Sequence, residues 1–263
     1  EPEERTVFRR LAVFAGGFTL EAAQGVAAQD LSADALTLIT SLVSKSLLRH
    51  ETSKSAEPRF GMLETVREYA WEQLTASGEA ERTRDRHLEH FVGLAERAKG
   101  LFNSQQAHEW FATIEQEYEN FRAAGRWASE CAQTDAELRM ASAICRFWHL
   151  RGNVGEGYKW VDAALAKSRE ATAALRAKLL HGTAALTYGN EERSVALDEE
   201  GLALARSVGD RETMTRCLLH LGVVHFQKED HQTAHDFLTE GLTLARDIDD
   251  KFRIGASVQA LAV

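Results

Sequence analysis

GLALARSVGD at residues 201–210 returns as GLTLARDIDD at 241–250, and the 40-residue shift between the copies decides how the chain is read. LLHGTAALTYGNE ahead of the first copy is answered by LLHLGVVHFQKED ahead of the second, with Gly182 and Gly222 again 40 apart. A fainter unit lies upstream at a shift of 37, where Gly152-Asn153 and Ala164 hold the places of Gly189-Asn190 and Gly201. Each unit reads as a helix pair. Gly222, Ala234 and Gly241 fall where two helices must come near each other, while Leu218, Leu221, Leu238 and Leu242 recur at helical spacing as filling. One such hairpin cannot bury its apolar face alone, so neighbours must stack into a continuous core. In the middle unit Asp198 stands where the later unit has Leu238, and Ser194 where it has Ala234, which predicts loose packing of that helix.

These small-residue and leucine positions resemble a tetratricopeptide repeat over roughly residues 136–263. In the same register Arg139, Arg176 and Arg216 occupy equivalent places near the start of the first helix of three successive units, at spacings of 37 and 40. In a tetratricopeptide array that helix lines the concave groove. Stacking would therefore set the three in a column, with Arg146 one or two turns further along. Guanidinium forks suit carboxylates and phosphates, so the column is a candidate groove for an acidic peptide segment or a small anion. The plainer alternative is that each arginine pairs with a neighbouring Glu or Asp.

The chain has 263 residues, 44% of them hydrophobic, enough for a sizeable core in one or two domains. No apolar run approaches bilayer length and no basic-then-apolar leader opens the chain, so a cytoplasmic location with no membrane contact is expected. Cys131, Cys145 and Cys217 fall in helical patterns without C-x-x-C spacing and read as reduced, buried thiols. The net charge of −9 opposes general affinity for nucleic acid.

From the N-terminus, EERTVFRRLAVF carries an apolar face (Val7, Phe8, Leu11, Phe14), Gly16-Gly17 stops it, and Thr19 caps a short helix over 20–28. A third helix carries Leu36, Leu38, Ile39, Leu42 and Val43. The β-favouring SLLRHE, the turn TSKSAEP and the strand RFGML at 59–63 follow. Three helices and a two-stranded hairpin describe a winged helix. Helical patterns then continue through ETVREYAWEQL, EAERTRDRHLEHFVGLAERAKGL and the long QQAHEWFATIEQEYENFRAAGRWASEC. The expected architecture is mainly α: a winged-helix domain with a small β-hairpin at 1–77, a helical connector at 78–133, and a tetratricopeptide-like α-solenoid at 134–263 of three units and a truncated fourth.

FRRLAVFAGGFTLEAAQGVA, LVSKSLLRH, RFGMLETVREYAWEQL and EQEYENFRAAGRWA resemble the middle and C-terminal parts of bacterial signal-transduction ATPases of the STAND class, associated with LuxR-type and SARP-type transcription regulators. The resemblance implies an upstream ATPase module, a winged helix, and repeats that serve as a sensor or docking surface for a protein, peptide or small ligand, with a constitutive tetratricopeptide scaffold that does not switch as an alternative. No G-x-x-x-x-G-K-[ST] occurs, so no ATP hydrolysis and no cofactor is expected of this chain. ATP or ADP would enter only with an upstream module, of which this reads as an excised fragment. The resemblance also places Met62, Leu63 and Glu64 where such winged helices carry a Met-His-Asp nucleotide sensor. Leucine cannot contact phosphates, so Glu64 reads instead as a favourable charge in the first turn of its helix. DNA binding is disfavoured, because the third helix offers only Lys45 as a cation, and Arg49, Lys54 and Arg59 near the wing are offset by Glu51 and Glu57. His231 and His235, four apart, lack a third ligand, and no nucleophile elbow or catalytic triad can be assembled.

Overall fold

The computed structural model describes residues 1–51, 57–101, 106–187 and 189–262. They divide into two compact units, Glu1–Ala136 and Glu137–Val263.

The first unit opens with α1 (Pro2–Arg10), which runs on as a 3₁₀ turn through Val13. Gly17, at φ +75°, then turns the chain in a conformation that suits glycine. Next comes a strand the sequence pattern did not reveal, β1 (Phe18–Thr19). Thr19 accepts from the Ala22 amide and caps α2 (Leu20–Ala23), which widens into a π-helical turn over 24–28. Asp34 caps α3 (Ala35–Ser44) through the Thr37 amide. β2 (Arg49–Glu51) and β3 (Arg59–Gly61) pair antiparallel, and Phe18 pairs with Phe60, so the sheet has three strands in the order β1-β3-β2.

α4 (Glu64–Ala76) and α5 (Ala80–Leu101) follow. The segment expected as one long helix is two, α6 (Ala107–Gln116) and α7 (Tyr118–Glu130). They break at Glu117, whose carboxylate turns inward to Arg59 and to the Asn120 amide. The expected connector packs into the winged core. Phe14, Phe91 and Phe121 form a buried aromatic chain, and Asn120 accepts from the Ala15 amide while donating to the Gly17 carbonyl. Arg10, also buried, donates to Asp30 and Glu79 and joins α1, the α2 turn and the start of α5.

The second unit is built of hairpins, as the repeat predicts. α8 (Thr134–Arg151) and α9 (Val154–Lys167) form the first, and α10 (Ala173–Leu186) and α11 (Glu191–Val208) the second. α12 (Arg211–Gln227) and α13 (His231–Asp247) form the third, and α14 (Lys251–Leu261) follows. Thr172, Asn190, Asp210, Asp230 and Asp250 each cap the helix they precede. Where α12 meets α13, a Cβ on Gly222 would lie 2.6 Å from Leu238 Cγ, and one on Gly241 would lie 3.2 Å from Leu218 Cβ. The echo in the sequence is therefore an echo of close approaches. Of the cysteines only Cys217 is buried; Cys145 is half-buried and Cys131 exposed, contrary to expectation.

Candidate functional site

A cavity of about 290 Å³ opens within the second unit. Every residue lining it comes from α8, α10 and α12, the first helices of the three hairpins, or from α14, which follows them. Arg146, Arg216 and Arg253 bring three guanidiniums to it, His181 and His220 two imidazoles, and Phe252 heads an apolar share that includes Leu150, Leu219 and Val223.

Behind the imidazoles lies Asp198 of α11, with a fully buried side chain. It accepts from Nδ1 of His181 at 2.9 Å and makes a close hydrogen bond with Nδ1 of His220. Burial alone would raise the Asp198 carboxyl, but the two imidazoles outweigh it and hold the group ionised, below its ordinary value. Burial likewise keeps His181 below its ordinary range in spite of the carboxylate beside it. With Nδ1 of each ring committed to Asp198, Nε2 is the nitrogen left for the cavity. The loose packing expected of α11 is thus not found. Asp198 replaces a leucine's apolar contact with hydrogen bonds, and Ser194 is buried with its hydroxyl donating to the Ala184 carbonyl.

The side chains of His181, Asp198 and Cys217 could each offer a metal-ligating atom, all within 4.8 Å of one another. The Asp198 carboxylate is already engaged by both imidazoles, and burial pushes the Cys217 thiol far up, away from the thiolate a metal needs. The trio reads as a hydrogen-bonded floor for the cavity.

The expected arginine column is only partly assembled. Arg146 and Arg216 meet at the cavity. Arg176 points elsewhere, with Nη2 donating to Glu200 at 2.7 Å and Nη1 to the Ser168 hydroxyl at 2.9 Å, so for this residue the local ion pair prevails. Arg139 is half-buried and does not line the cavity. Arg253 was missed although it follows Arg216 by 37 residues, the spacing that separates Arg139 from Arg176. Arg216 also pairs with Glu212, and Arg253 with Asp250. Burial, then the charge of Arg216, lowers Arg253 to about 10 and pulls Arg146 below its ordinary value.

In the first unit Leu63 occupies the N-cap position of α4, exposed and without a side-chain cap, and Met62 is half-buried. Glu64 begins the helix and accepts from Arg67 at 2.6 Å, which lowers its carboxyl below the ordinary value. Glu64, Arg67, Glu68, Arg84 and Arg126 line a separate open cleft of mixed charge. Each described cation named near the third helix and wing has an acidic partner, while Lys45 and Arg49 stay more than half exposed. Lys45 donates to Glu4 at 2.6 Å, Arg49 lies 3.6 Å from Glu51, and Arg59 is not a wing cation at all but is buried against Glu117. Lys54 lies outside the described residues. His231 and His235 are exposed at the start of α13. Among the described residues no helix is long and apolar enough to cross a membrane.

Residues 1–75 match the family model described as a winged helix-turn-helix domain. Proteins of Mycobacterium bovis and of Mycobacterium tuberculosis H37Rv, each named "Putative HTH-type transcriptional regulator", are 34% identical to this chain across 95% of it. The chain spans 29% of the length of those relatives. A solved Pyrococcus horikoshii structure, a signal transduction ATPase with numerous domains bearing a tetratricopeptide repeat sensor, aligns with 99% of this chain and 47% of its own at 15% identity and a TM-score of 0.42. The first 75 residues are thus a winged helix-turn-helix domain, set ahead of a unit of helical hairpins in a chain similar along nearly its whole length to those mycobacterial proteins.

Proposed function

We propose that this chain is the sensor and relay region of a transcription regulator, in which the helical hairpins receive a ligand or partner segment and the winged domain passes occupancy on to other modules of the longer protein. The observation that carries this reading is the cavity on the first helices of the hairpins, where guanidiniums of α8, α12 and α14 converge. Residues on three successive hairpins and on α14 share one site, so an occupant that touches them better in one stacking than in another would shift the balance between the two. In this reading the winged domain serves as a packing module. Supporting that, Lys45 at the end of α3 pairs with Glu4, Arg59 is buried against Glu117, and the exposed residues within α3, Leu36, Thr37, Thr40 and Ser44, carry no charge.

A second reading, DNA binding by the winged domain, is favoured by the names of the mycobacterial relatives. A salt-dependent gel-shift with the 263-residue chain separates the two. The relay reading expects no binding beyond that of a random duplex, and a sequence-selective shift abolished by Thr37→Glu would refute it.

A further inference from the structure

We infer that the cavity on α8, α10, α12 and α14 takes a small organic carboxylate, its charge held by Arg146 and Arg216 and its apolar body laid against Phe252 and Leu150. The inference rests on the reading of the hairpin unit as a receptor and names what it receives.

Charge is the first argument. Three guanidiniums line one small space, yet Glu212 is given to Arg216 and Asp250 to Arg253, while Asp198 is occupied by the two imidazoles. Among the described residues Arg146 has no ion-pair partner; its guanidinium carbon sits 4.9 Å from the centre of the Phe252 ring. The Nε atoms of Arg146 and Arg216 are both buried without a hydrogen-bond acceptor. Buried donors of this kind are normally satisfied, and an acceptor carrying negative charge would satisfy them while relieving the repulsion between the arginines. A cation would meet the opposite field.

The second argument is polarity. Leu150 and Phe252, each about half exposed, are among the few large apolar side chains open to solvent within the described residues, and both flank the cavity beside the guanidiniums. Inorganic phosphate would answer the charge and leave that wall uncovered. An amphiphilic anion covers both. Size is the third. At about 30 Å³ per water-sized group, 290 Å³ holds a molecule of roughly ten non-hydrogen atoms.

The test is calorimetric titration of the 263-residue chain at low salt with benzoate, hexanoate and 4-phenylbutyrate, against phosphate and 4-phenylbutanol. At least one carboxylate should saturate, with phosphate and the alcohol bound at least tenfold more weakly. Arg146→Gln and Arg216→Gln should each weaken it roughly 10- to 100-fold, the loss of one hydrogen bond to a charged group. Arg206→Gln, which breaks an exposed pair with Glu240, should leave it unchanged. Circular dichroism checks that each variant is folded. Equal binding of the alcohol, or affinities indifferent to both cavity arginines, would overturn the inference. Saturation by a tetraglutamate peptide through Arg146, with no carboxylate bound, would overturn the small-molecule assignment and keep the receptor reading. Silence from carboxylates and peptide alike would remove both.

Discussion

His87 sits on α5 with 3% of its surface exposed, between the rings of Phe14 at 5.2 Å and Phe91 at 4.6 Å, and its Nε2 has no hydrogen-bond partner. Burial pushes it down from 6.5 to about 3. As pH falls below 6.5 the unfolded chain takes up this proton and the folded chain does not, so stability is full above 6.5 and drains away until about pH 3. At about 1.4 kcal/mol per pH unit, His87 alone should remove about 2 kcal/mol by pH 5 and about 5 kcal/mol over the whole window. His90 and His181, also lowered by burial, add to the slope in the same range. His87→Phe keeps a ring between Phe14 and Phe91 and removes the titration. Urea unfolding between pH 7.5 and 5, followed by tryptophan fluorescence, should show the variant's stability falling less steeply by about one proton. Hydrogen exchange of peptides spanning 84–95 would assign the change to the first unit. A variant with undiminished pH dependence would refute the argument, because the proton would then be taken up elsewhere.

Asp198→Leu, which restores the residue type found at Leu238, should lower stability by about 2–4 kcal/mol, since His181 would keep a buried donor with no acceptor. Adding His181→Leu should recover most of that loss in the same urea midpoints. Glu117→Gln should cost about 3–5 kcal/mol by stranding the buried Arg59 guanidinium, and Arg59→Met with Glu117→Leu should cost less than either single change, read by thermal melting. Gly222→Ala should destabilise by about 1–3 kcal/mol through its collision with Leu238, whereas Gly255→Ala, mid-helix in α14 with nothing beyond its own helix backbone and chain neighbours within 4 Å of its Cβ position, should stabilise by about 0.5–1 kcal/mol; denaturant titrations of the pair test whether close approach sets the sign.

The hairpins were legible because each close approach imposes a small residue at a fixed interval, and the 40-residue echo records it. The floor of the cavity was not. Asp198 looks like a flaw in the register, and its partners lie 17 residues before it and 22 after, on other helices, so no periodicity joins them. Arg59 misled for the same reason: its counter-charge is 58 residues away. β1, two residues long, is too short to show alternation. Arg146 and Arg216 were reachable because the repeat register says which helices share a face. Arg253 obeyed the same register, but it lies in α14, past residue 250 where the echoed copies that set the register stop.

The embrace of Arg59 by Glu117 sets a lower bound on what can be transplanted. A winged domain cut at residue 75 would leave behind Phe91 and Phe121, the aromatic floor under Phe14, and would carry away a guanidinium stripped of its Glu117 counter-charge. The portable piece therefore runs to about residue 130, and chimaeras spliced at the earlier border should come out insoluble where those spliced at the later one do not.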